Sequence, residues 1–181
     1  MAQRIVIGDV TIGIQGQDYS YIFSTVAGGM ESLYKDGKEW LYRSPRPAFW
    51  RAQTDNDKGC GFGFKSAIWS ATDRFVRCSK IEANMDGKEI AIPLAPANNK
   101  YSGNEVCDKF EITYTYETPT VPVTEVILRY SVEKSGRIHV QVKYNGKAGL
   151  PELPVFGMRI LMPTVAKGYT YEGLSGETYP D

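Results

Sequence analysis

The sequence predicts an all-β protein, a large antiparallel β-sandwich formed as a single domain over residues 1–181. Three observations predict it. Apolar and polar residues alternate with a period of two along several stretches. Dipeptides with tight-turn chemistry fall between those stretches. Tyrosine, twelve copies of it, and β-branched residues are abundant, as strands prefer.

The elements follow in chain order. "RIVIG", "VTIGIQ" and "YSYIFST" read as short strands near the N-terminus. Asp36-Gly37 and Asp86-Gly87 tolerate the positive φ of two-residue hairpin turns, and each sits between apolar runs. "GFKSAIWSATDRFVRC" predicts a turn or two of helix around Ser66 to Asp73. In "KFEITYTYET", Phe110, Ile112, Tyr114 and Tyr116 form one face against Glu111, Thr113, Thr115 and Glu117. Val126, Leu128, Tyr130 and Val132 share a face in "TEVILRYSVE". Ser135-Gly136 then turns the chain into "RIHVQVKY", whose apolar face is Ile138, Val140, Val142 and Tyr144. Asn145-Gly146 predicts a further hairpin. Prolines such as Pro45, Pro47, Pro151 and Pro154 belong in loops and at strand edges.

Composition narrows the function. Hydrophobic residues make up 42% and charged residues 23%, the balance of an ordinary globular protein. Lys plus Arg and Asp plus Glu both number 21, so no net field gathers nucleic acid or anionic lipid. A net charge near zero favours association. No apolar run approaches 18 residues, and the N-terminus lacks the apolar core of a signal peptide. Cys60, Cys78 and Cys107 are odd in number and form no CxxC, which fits neither a disulfide framework nor a zinc site. A cytoplasmic protein with no nucleic-acid or membrane partner is expected.

One stretch departs from the strand pattern: "PRPAFWRAQTDNDKGCGFGF", residues 45–64. Its acidic knot fails as an EF-hand. Counting from Asp55, position 5 is Gly59 and position 12 is Ser66. An ion site of another kind on Asp55 and Asp57 stays open beside the commoner outcome, Asx-turns. Gly59, Gly61 and Gly63 do not make a nucleotide loop, because Phe64 stands where the last glycine belongs and no GK[ST] follows. In an extended segment Asp55 and Asp57 would share a face, as a glycosidase carboxylate pair requires, but close acidic pairs are common on surfaces. His139, the single histidine, falls on the polar face of its strand, which argues against a Ser-His-Asp triad or a histidine metal site. Trp40, Trp50 and Trp69 are candidates to stack on sugar faces, with core packing as the ordinary alternative. No self-contained catalytic set emerges from these residues.

The same stretch resembles a signature of β-galactosidases of glycoside hydrolase family two, an F-x-R-A-x-x-D-N-D-x-G pattern in their C-terminal sandwich domain. Phe49, Arg51, Ala52, Asp55, Asn56, Asp57 and Gly59 match it. "DYSYIFSTVAGGMESLYKDGKEWLYR", "LAPANNKYS", "GLPELPVFGMRILMPT" and "YEGLSGETYPD" extend the resemblance to the small subunits of the heterodimeric β-galactosidases of lactic acid bacteria, over essentially the whole chain.

The resemblance implies a galactose-mutarotase-like supersandwich and a non-catalytic subunit. The catalytic glutamates, and any Mg2+ or Na+, would belong to a large subunit, with no cofactor in this chain. It implies that Phe49, Trp50 and Arg51 anchor a loop. Asp55, Asn56, Asp57, Gly59, Cys60, Gly61 and Phe62 would then face the partner's galactoside site, with Gly59 as hinge and the residues up to Phe64 as the moving part. It further implies polypeptide beyond Asp181, carrying a DSW-like motif that residues 1–181 lack, so that the sandwich is expected to be incomplete with exposed edges. The rival expectation is a stand-alone carbohydrate-binding or mutarotase-like module, which would need an acid and a base facing the sugar.

Overall fold

A computed structural model describes residues 2–92, 101–170 and 172. The motif segments at 94–100 and 173–181 lie outside the described residues. Thirteen strands are described, in three antiparallel sheets. Six form one sheet in the order β5-β4-β3-β2-β1-β9: β1 (Gln3–Ile7), β2 (Thr11–Gln15), β3 (Tyr19–Ser24), β4 (Gly29–Lys35), β5 (Lys38–Glu39) and β9 (Glu105–Cys107). Five form a second in the order β12-β11-β10-β7-β8: β7 (Arg77–Met85), β8 (Lys88–Ile90), β10 (Lys109–Glu117), β11 (Glu125–Glu133) and β12 (Ile138–Asn145). β6 (Arg43–Ala48) and β13 (Gly157–Leu161) pair as a ribbon.

The sheet-forming turns follow their sequence chemistry. Asp36 and Gly37 adopt φ of 53° and 75°, and Asp86 and Gly87 adopt 50° and 81°. Both central positions are left-handed, as the twist-matched hairpin turn requires. Ser135-Gly136 closes β11 onto β12 differently. The Gly136 N–H donates to the Glu133 carbonyl and Gly136 sits at φ 77°, a type I turn followed by a left-handed glycine.

The two large sheets bury one shared core. Phe110, Ile112, Tyr114 and Tyr116 on β10 are all fully buried, as are Val126, Leu128 and Val132 on β11. Ile5, Ile12, Ile14 and Phe23 face them from the other sheet, and the Phe23 ring packs 5.9 Å from Phe110 and 5.4 Å from Tyr130. Truncating Phe110 to alanine costs about 3–5 kcal/mol at such a site. Buried tyrosine hydroxyls stitch the layers. Tyr114 donates to the Ser24 and Gly29 carbonyls, Tyr116 to Gly28 and Tyr21 to Gly136. Burial pushes the Tyr21 phenol up to about 12, so these groups stay neutral donors.

One expectation needs correction. Asn145-Gly146 does not make a hairpin: among the described residues β12 pairs only with β11, and Gly146 is not left-handed. The following run holds Pro151 and Pro154, which cannot donate to a ladder. Instead, Leu150, Leu153 and Phe156 pack on the core as an irregular strap. The face Ile138, Val140, Val142 and Tyr144 exists but is only half covered, with Val140 51% exposed. Ile138, Val140 and Val142 line an apolar groove of about 430 Å3 with Met158, Ile160 and Met162.

Candidate functional site

Between β6 and β7 the chain leaves the sheets. It forms two single-turn helices, α1 (Asp55–Gly59) and α2 (Phe62–Lys65), a 3-10 turn at Ala67–Trp69, and α3 (Thr72–Phe75). The last two fall where the sequence predicts a turn or two of helix. The first two correct the expectation of an irregular glycine loop with Asx-turns.

The reason lies in residues 54–57. Thr54 is the N-cap of α1, and its side chain accepts from the Asp57 backbone N–H at 3.2 Å. The Asp57 carboxylate reaches back to accept from the Thr54 N–H at 2.8 Å. That reciprocal pair is a capping box, and it satisfies two amides that the first turn leaves orphaned. The T-x-x-D spacing was in the sequence and is the signal that would have found Thr54.

Asp57 has a second partner. Arg51 donates both terminal nitrogens to it, at 2.5 and 3.1 Å. The Arg51 hydrogen bond, followed by the Thr54 amide, holds the Asp57 carboxyl well below the usual carboxylate range. Arg51 also donates to the Pro154 carbonyl at 3.2 Å, and its guanidinium lies 5.8 Å from the Phe62 ring centroid. One cation therefore ties α1, α2 and the 150–156 strap together.

The strap supplies further acceptors that sequence reasoning missed. Ser66 donates to the Glu152 carbonyl at 2.8 Å, and the Trp69 indole donates to Pro151 at 3.2 Å. Prolines keep those carbonyls in an extended run whose amides are not spent on a ladder. Phe49 is fully buried and stacks on Trp69 with centroids 5.7 Å apart, with Phe156 at 6.0 Å. Trp50 is half-buried against the same cluster. Trp69 is fully buried, so its sugar-stacking alternative is withdrawn in favour of core packing.

The helical geometry also undoes the carboxylate pair. Residues two apart on a helix point to different sides. Asp55 is exposed and pairs with Lys58 at 2.9 Å, whereas Asp57 turns inward to Arg51. Each is neutralised by a different cation, which disfavours the ion-site alternative. Among the described residues, no three His, Cys, Asp or Glu side chains converge as a metal site would need.

The tip of the segment is open. Asn56, Gly59, Cys60 and Phe64 are exposed, Phe64 at 90%. Cys60 is the C-cap of α1 and donates its amide to the Asn56 carbonyl. Gly61 sits at φ 68°, a conformation that costs an L-residue about 1–2 kcal/mol, and it lets α2 start at a new angle. Phe62 and Gly63 are half-buried. The segment thus has a root fixed by Arg51 and Asp57 and a solvent-facing tip. His139 lies elsewhere, on the exposed side of β12, 3.3 Å from Glu133.

Known proteins give this geometry a context. A family model described as "Beta galactosidase small chain" matches residues 15–181. The β-galactosidase small subunit of Latilactobacillus sakei is 54% identical over 177 residues, covering 98% of this chain and 56% of that one. The β-galactosidases of Clostridium acetobutylicum and Streptococcus thermophilus are 37% and 31% identical over 174 residues each, 17% and 15% of their lengths. The chain therefore spans about half of the small subunit it matches and a smaller share of the longer enzymes. No helix among the described residues is long and apolar enough to cross a membrane. On the extent of the match to its family model, the chain belongs to the β-galactosidase small chain family.

Proposed function

We propose that the chain is a non-catalytic part of a cytoplasmic β-galactosidase that hydrolyses terminal β-D-galactosides such as lactose. It works by associating with a large subunit that supplies the nucleophile, the acid/base group and any Mg2+ or Na+. The observation that carries the reading is the match along 98% of the chain to a protein named as a β-galactosidase small subunit. The site chemistry agrees. Asp57 is held ionised by Arg51 and cannot serve as a proton donor near neutral pH, and Asp55 stands in solvent beside Lys58.

In this reading the segment from Thr54 to Lys65 is presented to the partner. Arg51, Phe49 and Trp50 hold its root, while Asp55, Asn56, Gly59, Cys60, Gly61 and Phe62 border the shared galactoside site. The apolar groove between β12 and β13 also suits a chain that works within an assembly. A stand-alone sugar module is not favoured: His139 and Glu133 pair on an open strand surface, with both side chains exposed.

The test is reconstitution. The small subunit mixed with its large subunit should hydrolyse nitrophenyl-β-galactoside far faster than either alone. Full activity of the large subunit alone, with no gain on mixing, refutes the reading.

A further inference from the structure

A second concave feature lies on another part of the surface. A cleft of about 510 Å3 opens between β6, β13 and α3, lined by Arg43, Ser44, Arg46, Arg159, Asp73 and Arg74. Four arginines and one aspartate line it, although the chain as a whole carries no net charge. The positive potential is therefore local, built by these side chains.

The groups are not equivalent. Arg46 forms a fixed wall: it donates to the Ala27 carbonyl at 2.9 Å and its guanidinium lies 5.7 Å from the Tyr116 ring centroid. Arg159 is its direct partner across the β6–β13 ladder, and like charges opposite one another destabilise a strand pair. Asp73 offsets Arg159 through an ion pair. Arg43 and Arg74 are exposed, and neither side chain makes a hydrogen bond or ion pair among the described residues. The ladder register shifts between Arg159 and Leu161, with three steps on β6 from Arg46 to Arg43 against two on β13. Such a bulge re-aims a side chain, and here it brings Arg43 to the cleft that Arg46 already lines.

We propose that this cleft binds a small oxyanion of the phosphate class. Guanidinium forks match phosphate oxygens two at a time, and they stay charged at any physiological pH. A dianion here would engage Arg43 and Arg74, with the Ser44 hydroxyl available as a further donor. It would also relieve the repulsion between Arg46 and Arg159. The proposal is independent of the galactosidase reading, because it concerns a different face and its test involves no hydrolysis.

The test compares thermal unfolding of the purified protein in inorganic phosphate and in sodium chloride at matched ionic strength. With phosphate at about ten times its Kd, one-site linkage predicts a rise of about 3–6 °C in Tm over chloride. The double variant R43A/R74A should unfold in chloride at the wild-type temperature and lose the phosphate-specific rise. Titration calorimetry with inorganic phosphate should show saturable one-site binding to the wild type. No phosphate-specific rise, no saturable heat, or a rise kept by the double variant, which would be a general salting effect, each overturns the proposal.

Discussion

Replacing Gly59 with alanine probes whether the Thr54–Lys65 segment moves during turnover. Gly59 is the last residue of α1, its φ lies outside the left-handed region, and an added Cβ meets nothing within 4 Å. Alanine therefore fits the observed conformation without a clash. Gly→Ala in a helix is worth about 0.5–1 kcal/mol. That shifts any equilibrium between the helical and unwound segment by about 2- to 5-fold towards the helix. In the reconstituted enzyme, the step that needs α1 to unwind should slow by that factor, read as kcat on nitrophenyl-β-galactoside. The Tm of the variant should not fall. Gly61→Ala is the contrast: at φ 68° it strains the junction and should loosen α2 instead. Unchanged kinetics for Gly59→Ala would refute the hinge, and a lowered Tm would refute the conformational reasoning.

Further expectations concern the root and the core. Thr54→Ala removes the N-cap, at a cost of about 1 kcal/mol, and should speed amide exchange at Asp57 about fivefold without changing exchange in β10. Exchange unchanged at Asp57 would mean the cap contributes nothing. Asp57 has a folded pKa below its unfolded value near 3.9, so its stabilisation is present above about pH 4 and is lost as pH falls through the folded value. Its carboxyl carbon shift should stay flat by NMR from pH 7 to about 4, and a midpoint near 3.9 would contradict the Arg51 pairing. Tyr114→Phe strands the Ser24 and Gly29 carbonyls, and a loss of about 1 kcal/mol should lower Tm by about 2–4 °C.

Where one residue's chemistry decided its neighbours, the fold was legible in the sequence. Phe110, Tyr114 and Tyr116 alternate with polar residues because one face of their strand is buried, and Asp36-Gly37 turns because both positions accept positive φ. The misses arose where distant contacts decided. Nothing local around Asn145-Gly146 reveals that the Leu150–Phe156 strap must turn away to accept hydrogen bonds from Arg51, Ser66 and Trp69. The half-covered face of β12 has the same apolar pattern as the buried face of β11, because periodicity encodes a face but not what covers it. At the candidate site, the D-N-D-x-G pattern was visible, but its helical form required reading Thr54 and Asp57 together. The Arg51–Asp57 pair, six residues apart, has no sequence rule of its own.

The position of the α1–α2 tip is tested most directly by the reactivity of Cys60. Its thiol is exposed at the end of α1, while Cys107 is buried and burial pushes its thiol up to about 11. Near pH 8 a disulfide reagent should modify Cys60 rapidly in the free chain and leave Cys107 for the unfolded state. In the complex with the large subunit, Cys60 should react much more slowly, and more slowly still with saturating galactose. A Cys60 rate that is the same free, assembled and sugar-saturated would contradict the placement of this segment at a shared galactoside site.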